Sequence, residues 1–366
     1  MYASMRGLFV TALFALSLGA ADAPKPAENA AELYLRAAEM RKPLSPAETN
    51  LEYSDFPPFP KAWQEASEAA WEANGPMRDL VRKARSLNHA QWPDDPQTGY
   101  LNLLRGLTNE IADAALHESV HHRAAAAIEF VRDELHLASL LDPKPSRSLL
   151  RVLVSAGINA SACNRLMVIT ANVPLTSDDK NSVDLNVGVA RQLIAELLEQ
   201  RDAKQQMIEL LGPKGSPEWS KPNQSPERIL ETINRCNAER TLAAMSLACH
   251  LYQFDKGAWP TSLEQLVPNY IAKVPLDPWG DGRQTFGYVL IKGGLPDGKD
   301  RRLVYDRCYS RDGMFYRIDE PQYGFYVSDG SNLPPIQRKQ GGQFRDVTLW
   351  QPRQVPQGQP TVAPLP

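Results

Sequence analysis

Several common signals are missing from this chain, and each absence narrows what it can do. Lysine and arginine number 40 against 43 acidic residues, leaving a formal net charge of −3. No Lys/Arg block stands out. Nucleic-acid binding draws largely on phosphate neutralisation and so has no basis here. The N-terminal apolar run ends short of the roughly 20 residues that cross a bilayer. Cysteine is scarce: Cys163, Cys236, Cys249 and Cys308 are all there is, and their spacing resembles no zinc knuckle. No G-x-S-x-G elbow, P-loop or dinucleotide fingerprint occurs. No fixed period marks a regular solenoid.

What is present begins with an export signal. Arg6 precedes the apolar stretch Leu8 to Leu18, and the small residues Gly19, Ala20 and Ala21 follow. A positive start, a short apolar stretch and a small-residue cleavage site define such a signal. We therefore expect residues 1–21 to be removed and the mature protein to be exported, periplasmic or extracellular. An oxidising compartment permits disulfides. Cys236 and Cys249 are an exception if one helix carries both, because that places them about 20 Å apart. Cys163 continues the seam Leu149, Leu153, Ala156, Ala160, which makes a buried thiol its expected role.

Residues 22–214 read as a mostly α domain, an irregular helical array or bundle. Tyr100, Leu104, Leu107, Ile111 and Ala115 recur at three- and four-residue steps and share one helix face. Ala124, Ile128, Val131, Leu135 and Ala138 repeat the pattern before Asp142-Pro143. A third stripe, Ala190, Leu193, Ile194, Leu197 and Leu198, is expected to run on to Gly212-Pro213. Each stripe is apolar on one side only, so the helices must pack on one another.

Residues 215–225 are rich in Pro, Ser and Lys and read as a linker. Helix resumes near Pro226 and runs to about Asp255 with two apolar faces, one through Leu242, Met245 and Cys249, the other through Ala244, Leu247 and Leu251. A helix apolar on two sides is buried on two sides. Thr261 to Glu264 matches a capping box opening a two-turn helix. Beyond it Thr285–Ile291, Leu303–Tyr309, Met314–Ile318 and Tyr323–Val327 favour strands. Residues 226–350 thus form a small α+β module, a long helix packed on an antiparallel sheet, and 351–366 form a disordered Pro/Gln-rich tail.

That module resembles the soluble part of the major pseudopilins of type II secretion. The residues that carry the likeness are Leu251 to Gly257, Trp259-Pro260-Thr261, Val274-Pro275, Asp277-Pro278-Trp279-Gly280 and Tyr326 to Gly330. The resemblance implies a long helix on a small antiparallel sheet. Pseudopilins also bind calcium in a late acidic loop, where only Asp329 and Asn332 stand in comparable places; a plain turn is the expectation there. Ala12 occupies the position where a prepilin carries glutamate, so assembly into a filament is not expected. The whole layout is similar to a family of exported bacterial proteins that open on an Asn-Ala-Ala-x-Leu-Tyr motif, here Asn29 to Tyr34. That likeness supplies no activity.

One motif carries chemistry. His117-Glu118-Ser119-Val120-His121 is H-E-x-x-H, which on a helix can chelate zinc and offer a general base. Arg123 follows where zinc proteases favour an apolar residue, and no second motif supplies a third ligand, although Glu129 and Glu134 are within the next helix. On a helical wheel Glu118 and His122 extend the apolar stripe, whereas His117 and His121 face solvent. A surface turn is therefore the expectation, with no catalytic, cofactor-binding or metal residue assigned. Trp63, Trp71 and Trp92 are read as packing aromatics and His250 as a core histidine.

The leading expectation is an exported, non-enzymatic structural or interaction protein, more a scaffold than an enzyme, with no cofactor. Its partner would be a protein of the cell envelope, with neither nucleic acid nor a lasting membrane span involved. The alternative is a zinc-dependent metallohydrolase built on His117, Glu118 and His121.

Overall fold

The computed structural model describes residues 28–44, 59–93, 99–141, 149–170, 174–177, 183–200, 202–216, 225–278, 282–291, 301–305, 316–318, 336–340 and 343–347. The signal, most of the linker, the tail, Cys308 and the pair Asp329/Asn332 lie outside them. So do the acidic pairs Asp94-Asp95 and Asp178-Asp179 and the segment Tyr323–Val327.

The described chain is mostly helical, with nine α-helices: α1 (Ala30–Met40), α2 (Lys61–Ala73), α3 (Gly75–Arg85), α4 (Gly99–Val120), α5 (Ala124–Leu141), α6 (Leu149–Thr170), α7 (Val187–Leu198), α8 (Ala203–Leu211) and α9 (Pro226–Lys256). Asn29 caps α1 by accepting from the Ala31 amide, Asn186 caps α7, and Asp202 caps α8 through Gln205 N–H. Each satisfies an amide that a helix start leaves without a partner. The Asn-Ala-Ala-x-Leu-Tyr motif thereby gains a structural role. Asn29 starts the helix, Ala30 and Ala31 allow close packing, and buried Tyr34 donates its hydroxyl to His136 Nδ1 at 2.7 Å.

α4 and α5 form a tight antiparallel hairpin. His122, at φ 58°, turns the chain between them, and Arg123 N–H returns to Glu118 O. The three periodic stripes fall in α4, α5 and α7, and Tyr100, Leu104, Leu107, Ile111 and Ala115 are all buried. α3 is joined to α5 by Arg82 and Arg85, which pair with Glu129 and Asp133. α5 is joined to α7 by a bidentate Arg132–Glu196 pair.

Three sequence expectations need correction here. The helix through Ala190 does not reach Gly212: α7 ends at Leu198, and α8 is a separate helix that Gly212 closes at φ 74°. The buried face of α6 runs through Val152, Ser155, Ile158, Asn159, Ala162 and Leu166, while Leu153 on the expected seam is exposed. Ser155 and Asn159 tolerate burial because each donates to a backbone carbonyl, of Ala138 and Ser155 respectively. Cys163 is buried all the same. Finally, Thr261–Glu264 is no capping box. A single 3-10 turn spans Leu263–Leu266, Ser262 precedes it without a side-chain cap, and the Thr261 amide donates to Gln265 Oε1.

α9 is the pivot of the fold. Thr241 to Leu251 are buried without a break, as expected of a helix covered on more than one side. It packs on α6, α7 and α8, and it also approaches the 3-10 turn and the strands β4 (Arg301–Tyr305) and β5 (Tyr316–Ile318). Arg240 on α9 donates to the carbonyls of Glu196, Leu197 and Glu199, supplying partners to the end of α7. Gly257 closes α9 in the left-handed region at φ 71°, which glycine adopts without the strain an L side chain carries there. Cys236 and Cys249 both sit on α9, too far apart to bond.

Two short strands, β1 (Leu175–Thr176) and β2 (Leu185–Asn186), pair in parallel, and β3 (Gly287–Ile291), β4 and β5 pair in that order, antiparallel. A further hairpin, β6 (Ile336–Gln340) with β7 (Gln343–Val347), was not anticipated from the sequence. The largest core cluster extends from Ala30 through the helices to Phe286, so α9 and the start of the strand region share apolar packing with the preceding helices. Trp63 and Trp92 are buried, and His250 meets Trp259 edge-on at 5.2 Å.

Candidate metal centre

The H-E-x-x-H segment closes α4, with His121 just past its last residue Val120, and α2 packs against it. The crossing is held by a small separate core of Phe59, Trp63, Leu116 and Val168. Trp63 stacks on Phe59 at 4.2 Å. At its other end α2 is anchored by Asn74. That side chain accepts from Lys42 N–H and donates to Lys42 O and Glu110 Oε2. Between these anchors Glu68 of α2 lies above the two histidines.

His117 and His121 are one turn apart and share a face. His117 Nε2 lies 3.1 Å from Glu68 Oε2, and His121 Nε2 lies 2.6 Å from Glu68 Oε1. One ligand atom from each residue falls within 4.8 Å of the others. The two imidazoles donate to the carboxylate, and these bonds, that from His117 foremost, hold Glu68 below its ordinary range. His117 is 3 % exposed, whereas Glu68 and His121 are half-exposed at their side chains. The Trp71 ring lies flat on His117, centroids 4.4 Å apart and planes at 11°, and the Arg78 guanidinium lies over the Trp71 ring at 3.7 Å. This stack fixes the plane of the His117 ring.

Here the solvent-facing placement of His117 fails. The wheel located it relative to α4's own apolar stripe, but Asp113 through Glu118 are buried in succession because α2 covers the second side. The third partner is Glu68, not Glu129 or Glu134. Those two belong elsewhere: Glu129 pairs with Arg82, Arg85 and Arg132, and Glu134 is fully buried in the core side of α5. Sequence offered no signal for Glu68, an exposed glutamate between Ser67 and Ala69 on α2.

Glu118 faces away from the cluster's open side. Arg123 donates to both its oxygens, Nε and Nη2 each at 2.7 Å. Burial would raise this carboxyl, but the bonds from Arg123, with a smaller pull from His117, outweigh it and hold Glu118 at about 2. Its Oε1 is 3.7 Å from His117 Nδ1, the ring nitrogen opposite the one directed at Glu68. Chemically, the arrangement is a carboxylate and two imidazoles converging on one point, with a permanently ionised carboxylate behind one imidazole.

No protein-family model, curated protein or solved structure matches this chain.

Proposed function

We propose that this chain is an exported, non-enzymatic structural or interaction protein, in which a helical array presents a C-terminal α+β module of pseudopilin-like design. The observation that carries the non-enzymatic reading is the Glu118–Arg123 clamp. A hydrolase of the H-E-x-x-H kind needs its glutamate as a base beside the metal-bound water. Both oxygens of Glu118 are instead engaged by Arg123, on the far side of His117 from Glu68. The modular reading draws support from α9, buried throughout its central turns and near the paired strands β4 and β5. Export rests on the residues around Arg6 to Ala21, and the partner is a protein of the cell envelope.

The metallohydrolase keeps one observation in its favour: half-exposed Glu68 and His121 leave the cluster open to solvent, as catalytic zinc sites require. One experiment separates the two. The mature protein, given Zn2+, is assayed on casein and on peptide and ester substrates, beside Glu118→Gln. We expect no zinc-dependent turnover in either. Turnover abolished by Glu118→Gln would establish the enzyme. Crosslinking in envelope extract followed by mass spectrometry should return a defined envelope protein; recovery of the chain alone would remove the interaction reading.

A further inference from the structure

We propose that Glu68, His117 and His121 bind a divalent transition ion of the zinc type, which clamps α2 onto the end of α4. Three features of the geometry support this, independently of the interaction reading.

The first is the donor set and its spacing. Two imidazole nitrogens and one carboxylate suit Zn2+ and its neighbours in the first transition row, whereas Ca2+ and Mg2+ call for oxygen donors alone. Tetrahedral bonds of about 2.0–2.1 Å imply ligand atoms about 3.3 Å apart. His117 lies 3.1 Å from one Glu68 oxygen and His121 2.6 Å from the other, and one ligand atom from each residue falls within 4.8 Å of the rest, so shifts of at most about 1.5 Å bring the three to that spacing.

The second is the surroundings of His117. Its Nε2 faces Glu68, so on metal binding the ring proton resides on Nδ1. That nitrogen is buried without a hydrogen-bond partner, and Glu118 Oε1 is 3.7 Å away; a closer approach of about 0.8 Å on metal binding makes the bond, and a carboxylate bonded behind a ligating histidine fixes its tautomer and strengthens it as a donor. The Trp71 ring lies flat along the same imidazole. Glu118, unsuited as a base, is thus a positioning residue for His117.

The third is where the ligands come from. Glu68 belongs to α2, His117 to α4, and His121 follows the last residue of α4 with its amide still bonded to His117 O. Of α2's own side chains only Trp63, Ser67 and Ala70 are buried, and its near end rests on a core separate from the main one. An ion shared between these segments therefore adds a cross-link to a helix with little apolar attachment of its own. Its open side, flanked by half-exposed Glu68 and His121, takes water or an external ligand as the fourth donor.

The test uses the whole mature chain with Zn2+ alone, and Ca2+ as the contrasting ion. Calorimetry should give one Zn2+ per chain and no Ca2+ at these residues. His121→Ala and Glu68→Ala alter half-exposed side chains and leave the core intact; each should weaken Zn2+ by more than tenfold. Glu118→Gln should weaken it about 10- to 100-fold without abolishing it. Hydrogen exchange should show α2 amides slowed by Zn2+ in the native chain and unchanged in His121→Ala. Absence of one-to-one binding, or binding indifferent to both ligand variants, overturns the site. Binding that leaves α2 exchange untouched overturns the clamp while retaining the site.

Discussion

Glu134→Gln should flatten the pH dependence of stability. Glu134 is fully buried on α5, and burial raises its carboxyl to about 8 from an ordinary 4.5, against weaker downward pulls from a Ser161 hydrogen bond and from Arg165. In the folded chain the group keeps its proton through neutral pH, whereas in the unfolded chain it loses that proton above about 4.5. The folded pKa is the raised one, so the group's contribution is complete below about 4.5 and is lost as pH climbs through about 8. At about 1.4 kcal/mol per tenfold change, the ceiling on that loss is near 5 kcal/mol, and about 3–4 kcal/mol of it falls between pH 5 and pH 8.5. Asp133 beside it is also raised by burial, to about 7, although Arg82 and Arg85 pull it down. It adds a slope of the same sign. Urea unfolding at half-unit steps from pH 5 to 9 should therefore show native stability falling with pH. Glu134→Gln, neutral throughout, should remove a share of the fall on the order of 3 kcal/mol. Adding Asp133→Asn should remove more. An unchanged slope in Glu134→Gln would refute the reasoning, because it would mean that the carboxyl ionises in the fold as freely as outside it.

Trp63→Ala deletes the largest side chain in the small core beneath α2 and should cost about 3–5 kcal/mol, read by urea unfolding; a loss below about 1 kcal/mol would mean that α2 is held by something else. Asn74→Ala breaks three hydrogen bonds at the α2–α3 junction and should cost about 2–4 kcal/mol, with faster proteolysis near Lys42 as a second readout. Arg123→Ala leaves the buried Glu118 carboxylate without its bidentate partner. Arg123 is 41 % exposed at its side chain, so solvent screening reduces the expected loss to about 1–3 kcal/mol. Arg123→Lys should recover part of that loss and not all, since an ammonium cannot form the paired bonds. Equal stability of the lysine and alanine variants would show the fork geometry to be irrelevant.

Helix content was legible because periodicity is local. Tyr100 to Ala115 and Ala124 to Ala138 mark buried faces by spacing alone, and the unbroken burial of Thr241 to Leu251 follows from a helix with two apolar sides. Reading failed wherever polar residues were buried with local partners. Ser155 and Asn159 disguise the inner face of α6, since their bonds to backbone carbonyls make burial tolerable. It failed again at Thr261–Glu264, where the correct residue types occur but a 3-10 turn uses Gln265 instead. The H-E-x-x-H motif was visible; its meaning was not. One of the three cluster residues, Glu68, lies about 50 residues upstream on another helix.

What the amino-acid order determined by itself is the succession of helices, the place where α5 stops, and the two histidines set one turn apart, all consequences of steps along a single backbone. Only tertiary structure decided that α2 covers the second side of α4, that Glu68 meets both imidazoles, and that Arg123 turns Glu118 away from them. The first two depend on distances between segments remote in the chain, and the third on the turn at His122 that folds Arg123 back over a residue five places earlier; no helical period encodes either.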